Sequence, residues 1–133
     1  MAFYRTREGA ITAADTFTAL GSLYGQSTTA SVQVPASATS IVGVIATIST
    51  DSASNGSMTA ACQLSGDGLS SGQETFVIGS QGVDGTPASN GMTNLPMLLD
   101  TSISVVGSNQ VSIAVAMDVD VGSAQAAITL VFQ

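Results

Sequence analysis

The sequence predicts an all-β domain, and three observations carry that expectation. From Gln110 to Gln133 apolar residues recur at every second position: Val111, Ile113, Val115, Met117, Val119 and Val121, then Ala124, Ala126, Ile128, Leu130 and Phe132. Successive side chains of a strand point to opposite faces, so each run reads as a strand with one apolar face. From Thr29 onward, short runs rich in Val, Ile and Thr alternate with clusters of Gly, Pro, Asn, Asp and Ser, the rhythm of an antiparallel sandwich or barrel. Helical spacing, finally, is confined to one stretch before residue 25. A chain of 133 residues suits one folded unit. With no internal repeat and no linker, it divides into an N-terminal arm, residues 1–10, and a β-sandwich domain, residues 11–133.

Residues 1–10 read as an arm because they hold two aromatics and both cations but no periodicity. Residues 11–25 fit two readings. Ala13, Phe17, Leu20 and Tyr24 share a helical face, with Thr12 and Asp15 as a capping box and Gly21 as a stop. The run Asp15 to Leu20 also suits a strand, and the β character of the remainder favours strand. Ser31-Val32-Gln33-Val34 is a short strand ended by Pro35, which has no N–H to give to a ladder. In Ser40–Ser49, Val42, Val44, Ala46 and Ile48 share one face and Ile41 and Ile45 the other. Apolar on both faces, this segment is expected to be a central strand covered on both sides, by a second sheet or by a neighbouring subunit.

Asn55-Gly56 signals a turn, and Ser57–Leu64 a strand. A tight hairpin there would set Cys62 opposite Ser49 and Leu64 opposite Thr47, a poor match, so a turn without a simple hairpin is expected. A Gly/Ser-rich loop over 65–73 leads to a strand over 74–78. Gly82, Asp84-Gly85, Pro87 and Asn90-Gly91 make 79–94 a long loop, of the kind that usually carries function or contacts. Segments 97–99 and 102–106 read as strand, and Gly107-Ser108-Asn109 as a turn. Gly122-Ser123 is the loop of a type II′ hairpin. In the matching register Val121 pairs with Ala124, Val119 faces Ala126, Met117 faces Ile128, Val115 faces Leu130 and Ile113 faces Phe132. A one-residue slip would destroy that agreement.

Composition narrows function by exclusion. Charged residues are 8% of the chain, against about 25% in ordinary soluble domains. Lys, His and Trp are absent. The only cations are Arg5 and Arg7; nine acids follow them, and the net charge is −7. Phosphate neutralisation draws on Lys and Arg, so no direct contact with nucleic acid is expected, nor with anionic membranes. No apolar run reaches the roughly 18 residues of a membrane span, and no membrane insertion is expected. A surface so poor in charge is expected to lie largely against other subunits. The N-terminus lacks the apolar core of a secretory signal, and Cys62, alone, forms no intrachain disulfide. Its place in the alternation Met58, Ala60, Cys62, Leu64 makes it a small core residue.

Catalytic chemistry finds no footing. Acid–base work near neutrality lacks His and Lys, and no Ser, Thr or Cys62 nucleophile has a base beside it in sequence. A carboxylate pair hydrolysing sugars would want aromatic platforms, and six aromatics, none of them Trp, supply few. No enzyme, cofactor or metal site is therefore expected. Asp51–Gly56 begins like a calcium loop but has Ala53 at the third position and Cys62 at the twelfth. Asn55-Gly56-Ser57 is a glycosylation sequon in form only. Asp118 and Asp120, about 7 Å apart on one outer face, would need a third acid from a neighbour to hold Ca²⁺. As acids on an exposed strand they more simply deter edge pairing.

The phrase Ser31-Val32-Gln33-Val34-Pro35-Ala36-Ser37-Ala38-Thr39-Ser40-Ile41-Val42-Gly43-Val44, the loop 79–94 and the C-terminal pair of strands ending at Gln133 together resemble the small jelly-roll capsid and capsid-decoration proteins of viruses. The resemblance lies in pattern and covers most of the chain. It implies a single antiparallel jelly-roll-like β-sandwich that acts as a structural subunit of a virion, made in the host cytoplasm. By the same resemblance it would self-associate as a homo-oligomer, a trimer or pentamer, beside other virion proteins. The chain departs from many capsid proteins in lacking a basic inner surface, which favours an outer or minor position. A second class stays open: a non-catalytic glycan-binding sandwich, such as a fibre head or adhesin domain. Segregation of charge marks Phe3, Tyr4, Arg5 and Arg7 as the candidate inter-subunit contact, with cations meeting a neighbour's acids and aromatics filling an apolar groove.

Overall fold

The sequence alternation becomes a burial alternation in the computed structural model, which describes residues 2–11, 13–23, 26–27, 31–50, 56–83, 90–93, 97–118 and 124–133. Its strands are β1 (Phe3–Ile11), β2 (Thr18–Ala19), β3 (Ser22–Leu23), β4 (Gln26–Ser27), β5 (Ser31–Gln33), β6 (Ser40–Thr50), β7 (Gly56–Ser65), β8 (Gln73–Val83), β9 (Asn90–Thr93), β10 (Met97–Ser104), β11 (Gln110–Met117) and β12 (Ala124–Phe132). Among the described residues there is no helix. The ambiguous early stretch yields the short strands β2 and β3 instead.

Two antiparallel sheets form. The first runs β10-β6-β12-β1-β3-β4, with β9 also on β6; the second runs β2-β11-β7-β8, with β5 also on β11. β9 and β10 take different stretches of β6, and β2 and β5 different stretches of β11. The second sheet thus has four positions, and the first has four (β9 or β10, β6, β12 and β1) with the short β3 and β4 continuing beyond β1. The chain path crosses between the sheets repeatedly, at β5→β6, β6→β7, β8→β9, β10→β11 and β11→β12 among other places. That interleaving is the jelly roll, two Greek keys wrapped into a sandwich.

The core lies between the sheets. Val111, Ile113, Val115 and Met117 of β11 and Ala124, Ala126, Ile128, Leu130 and Phe132 of β12 are all buried, in one cluster with Ile41, Val44, Ile48, Cys62 and Leu64. The expected C-terminal hairpin is not formed, however. β11 pairs with β7, setting Val115 opposite Cys62, whereas β12 pairs with β6 and β1, setting Leu130 opposite Val44 and Arg5. The two apolar faces do meet, but across the roughly 10 Å between sheets and not side by side. Matched apolar faces satisfy either arrangement equally well, so alternation alone does not separate them. The expected turn, Gly122-Ser123, lies outside the described residues, as do Val119 and Val121.

Ile41 is a second correction. The register of β12 against β6 slips between Val131, opposite Gly43, and Phe132, opposite Ile41. This bulge inverts the alternation, so Ile41 is fully buried beside Val44 while Val42 is only half-buried. Ile45 does stand on the outer face, half-buried. Much of the expected 79–94 loop is strand, since β8 extends to Val83 and β9 covers Asn90–Thr93, while residues 84–89 and 94 lie outside the described residues. Between β6 and β7 no hairpin forms, as the strands belong to different sheets.

Cys62 is fully buried on β7, and burial pushes its thiol from 9.0 up to about 12. The native protein should therefore resist thiol reagents at pH 8 and react only when unfolded. The stability consequence has a definite sign. Above about pH 9 the unfolded thiol ionises while the folded one keeps its proton, so stability falls with rising pH until about 12, at about 1.4 kcal/mol per pH unit. Urea midpoints at pH 8 and 10.5 should drop more for the parent than for Cys62→Ala. Equal drops would assign the loss to other groups.

Candidate functional site

β1 carries all four residues expected to reach a neighbour, and its register fixes where each points. Phe3, Arg5 and Arg7 stand opposite Phe132, Leu130 and Ile128, the core-facing residues of β12. Tyr4 stands opposite Val131 on the outer face, 59% exposed. The segment read as an arm is therefore a strand inside the first sheet, hydrogen-bonded between β12 and β3. Alternation was hidden because its inward positions are Phe3, Arg5, Arg7, Gly9 and Ile11, three of them not apolar.

The two arginines do different things. Arg7 donates from Nη2 to the carbonyl oxygen of Ser31 on β5, 2.9 Å away, and from Nη1 to that of Thr6 at 2.8 Å. Because β5 belongs to the second sheet, Arg7 ties the sheets together at their open side, and its charge serves its own domain. Arg5 makes a single side-chain hydrogen bond among the described residues, from Nη1 to the carbonyl oxygen of adjacent Tyr4 at 3.1 Å. With Phe3, Pro35 and Ser108 it lines a concavity of about 360 Å³ at one end of the sandwich. The structure thus brings Phe3 and Arg5 together, commits Arg7 elsewhere and turns Tyr4 away.

The opposite end carries acids. Ile11, at the far end of β1, leads into the exposed residues 13–17, where Asp15 takes the left-handed conformation (φ 54°) that Asp tolerates better than most residues. Its N–H donates to the carbonyl oxygen of Met117 at 2.7 Å, fixing the turn against the end of β11. Asp118, also exposed, accepts a hydrogen bond from the Thr59 N–H at 2.7 Å while its own N–H donates to the Thr59 carbonyl oxygen at 3.2 Å. Between these acids lies a shallow trough floored by Ala61 and Ala116 and walled by Phe17, which is 37% exposed. Ala116, Ala61 and Val77 follow one another across β11, β7 and β8 on the outer face of the second sheet. Val77 is 59% exposed at the end of that row.

Sequence reasoning did not find Phe17 or Val77 as surface residues. The run Phe76-Val77-Ile78 held a signal for one of them: on a strand, three bulky apolar neighbours cannot all face one core. Asp120 and Asp51–Asn55 lie outside the described residues. Among the described residues no three acidic or cysteine side chains converge in the way a metal ion needs. The chemistry these surfaces offer is non-covalent: apolar contact, and attraction between Arg5 at one end, which also carries exposed Asp67 beside Gln110, and the acids of the other.

No family model matches the chain, and neither a curated protein nor a solved structure is similar enough to match it.

Proposed function

We propose that the chain is a non-catalytic structural subunit of a virus particle, a capsid or decoration protein made in the host cytoplasm and incorporated into the virion. The observation that carries this reading is the chemistry of the jelly roll's outside. Bulky apolar side chains stand free on both outer faces, Tyr4 on one and Val77 and Phe17 on the other, in a chain with 8% charged residues. Jelly rolls serve in capsid shells, lectins and cupins alike, so connectivity alone does not choose among them. Outer faces made of Ala, Thr, Val and Tyr favour association, because apolar patches that stay in water are the mark of an interface. By this reading the partners are further copies of the chain and other virion proteins.

The test is the oligomeric state of the purified chain, measured by light scattering and native mass spectrometry, followed by microscopy of any assemblies. A trimer, pentamer or larger closed assembly is the expected result. A protein that stays monomeric at hundreds of micromolar, and is retained on a glycan surface, would overturn the proposal in favour of a binding module.

A further inference from the structure

The geometry points to one contact through which copies of this chain join: the acidic end of one sandwich docks against the Arg5 end of the next. This deepens the self-assembly reading and rests on it. β1 runs from one end to the other, Phe3 beside Phe132 and Ile11 beside Ala124, so the two ends lie about 25–30 Å apart. At the Phe3 end, Arg5 faces a concavity shared with Phe3 and Pro35 and meets no carboxylate among the described residues. At the Ile11 end, Asp15 sits at the tip of an exposed turn beside exposed Phe17. The turn thus presents a carboxylate and an aromatic ring two residues apart, and the concavity presents a guanidinium and an apolar wall.

Charge complementarity identifies the occupant. The chain holds two cations, and Arg7 is spent inside its own domain on Ser31 and Thr6. Arg5 is thus the cation a second copy can offer. Of the two exposed acids at the far end, Asp118 already accepts the Thr59 N–H, which leaves Asp15 as the acid proposed to meet Arg5. Donor and acceptor sit at opposite ends, so the contact is head-to-tail, and repetition closes a ring or extends a filament. Apolar contact of Phe17 with the partly buried Phe3 adds to the affinity, while the ion pair sets polarity and register.

Charge reversal tests this. Arg5→Glu alone and Asp15→Lys alone should each weaken self-association tenfold or more, because each sets like charges together. An equimolar mixture should restore association as heterodimers and even-numbered or open alternating assemblies, because each variant then meets its complement at both ends; a ring with an odd number of subunits would keep one mismatched contact. Arg5→Gln and Asp15→Asn, which remove charge with little strain, should weaken association by about three- to fivefold and lessen its sensitivity to salt. These neutral variants keep the readout if a reversal perturbs folding, which circular dichroism of each protein will reveal. Assembly of the parent that survives the neutral variants unchanged, or reversals that the mixture does not rescue, would overturn this contact while leaving self-assembly intact. A parent that is monomeric throughout would overturn both.

Discussion

A variant lacking residues 2–10 is expected to lose the fold altogether. β1 shares nine register pairs with β12, and its removal strips a ladder of backbone hydrogen bonds worth about 1 kcal/mol each in net terms. Ile128, Leu130 and Phe132, all fully buried, would then stand at an open sheet edge. Arg7 would no longer hold β5 to the first sheet. Against a total stability of about 5–15 kcal/mol for a small domain, these losses are decisive. Far-UV circular dichroism should show loss of the β signal, and heating should give no cooperative transition. A truncated protein that melts cooperatively within a few degrees of the parent would show that residues 2–10 lie outside the sheet.

That expectation reverses the one the sequence invites, and the reason is physical. A strand is legible when its inward residues are apolar and its outward ones polar, and β11 and β12 meet that condition. β1 does not, because it lies where the slab opens and arginine stems can pass between the sheets to reach a carbonyl or a concavity. β3 meets β1 at Glu8 among the described residues, so Phe3 to Arg7 has a ladder partner in β12 alone. Such edge-like stretches tolerate inward charge, which discourages further pairing. The same limit governs partner strands. Alternation tells which residues of β11 and β12 face inward but not whether the facing strand is a hydrogen-bonded neighbour or a member of the other layer.

The candidate surface was legible only in part, for a related reason. Charge segregation singled out Arg5 and Arg7 together and could not separate them. Their separation depends on Ser31, brought beside Arg7 by the fold of a segment more than twenty positions away. Phe17 carries no sequence mark of exposure on its own, whereas the run Phe76-Val77-Ile78 marks one of its members as outward without saying which. Phe17 is exposed because β2 pairs with β11 at Thr18 and Ala19, leaving the ring at the sheet's outer corner. Val77 is exposed by plain alternation, with Phe76 opposite buried Cys62 and Ile78 itself buried. Long-range pairing decides the exposure of Phe17, and for Val77 it decides which of three apolar neighbours faces out.

Val115→Asp should be the most damaging single substitution, and its contrast with Asp118→Asn tests the assigned faces of β11. Val115 is fully buried at the centre of the second sheet, opposite Cys62 on one side and Thr18 on the other. A carboxylate there would be surrounded by Leu, Ile and Cys side chains with no cation in reach, since Arg7, nearest the sheet opening, is already bonded to Ser31 and Thr6. Such a group either takes up a proton or leaves water charged, and both cost several kcal/mol. Losing the packing of Val adds about 1.5–3 kcal/mol, so the variant should be unfolded or melt tens of degrees lower. Asp118 is exposed, and its carboxylate accepts one N–H, from Thr59. Asn keeps an acceptor oxygen at that position, so Asp118→Asn should cost only about 0.5–1 kcal/mol. Thermal melts of the two variants at equal concentration, below the range of association, make the comparison. If they lose similar stability, the inward and outward faces of β11 have been assigned wrongly.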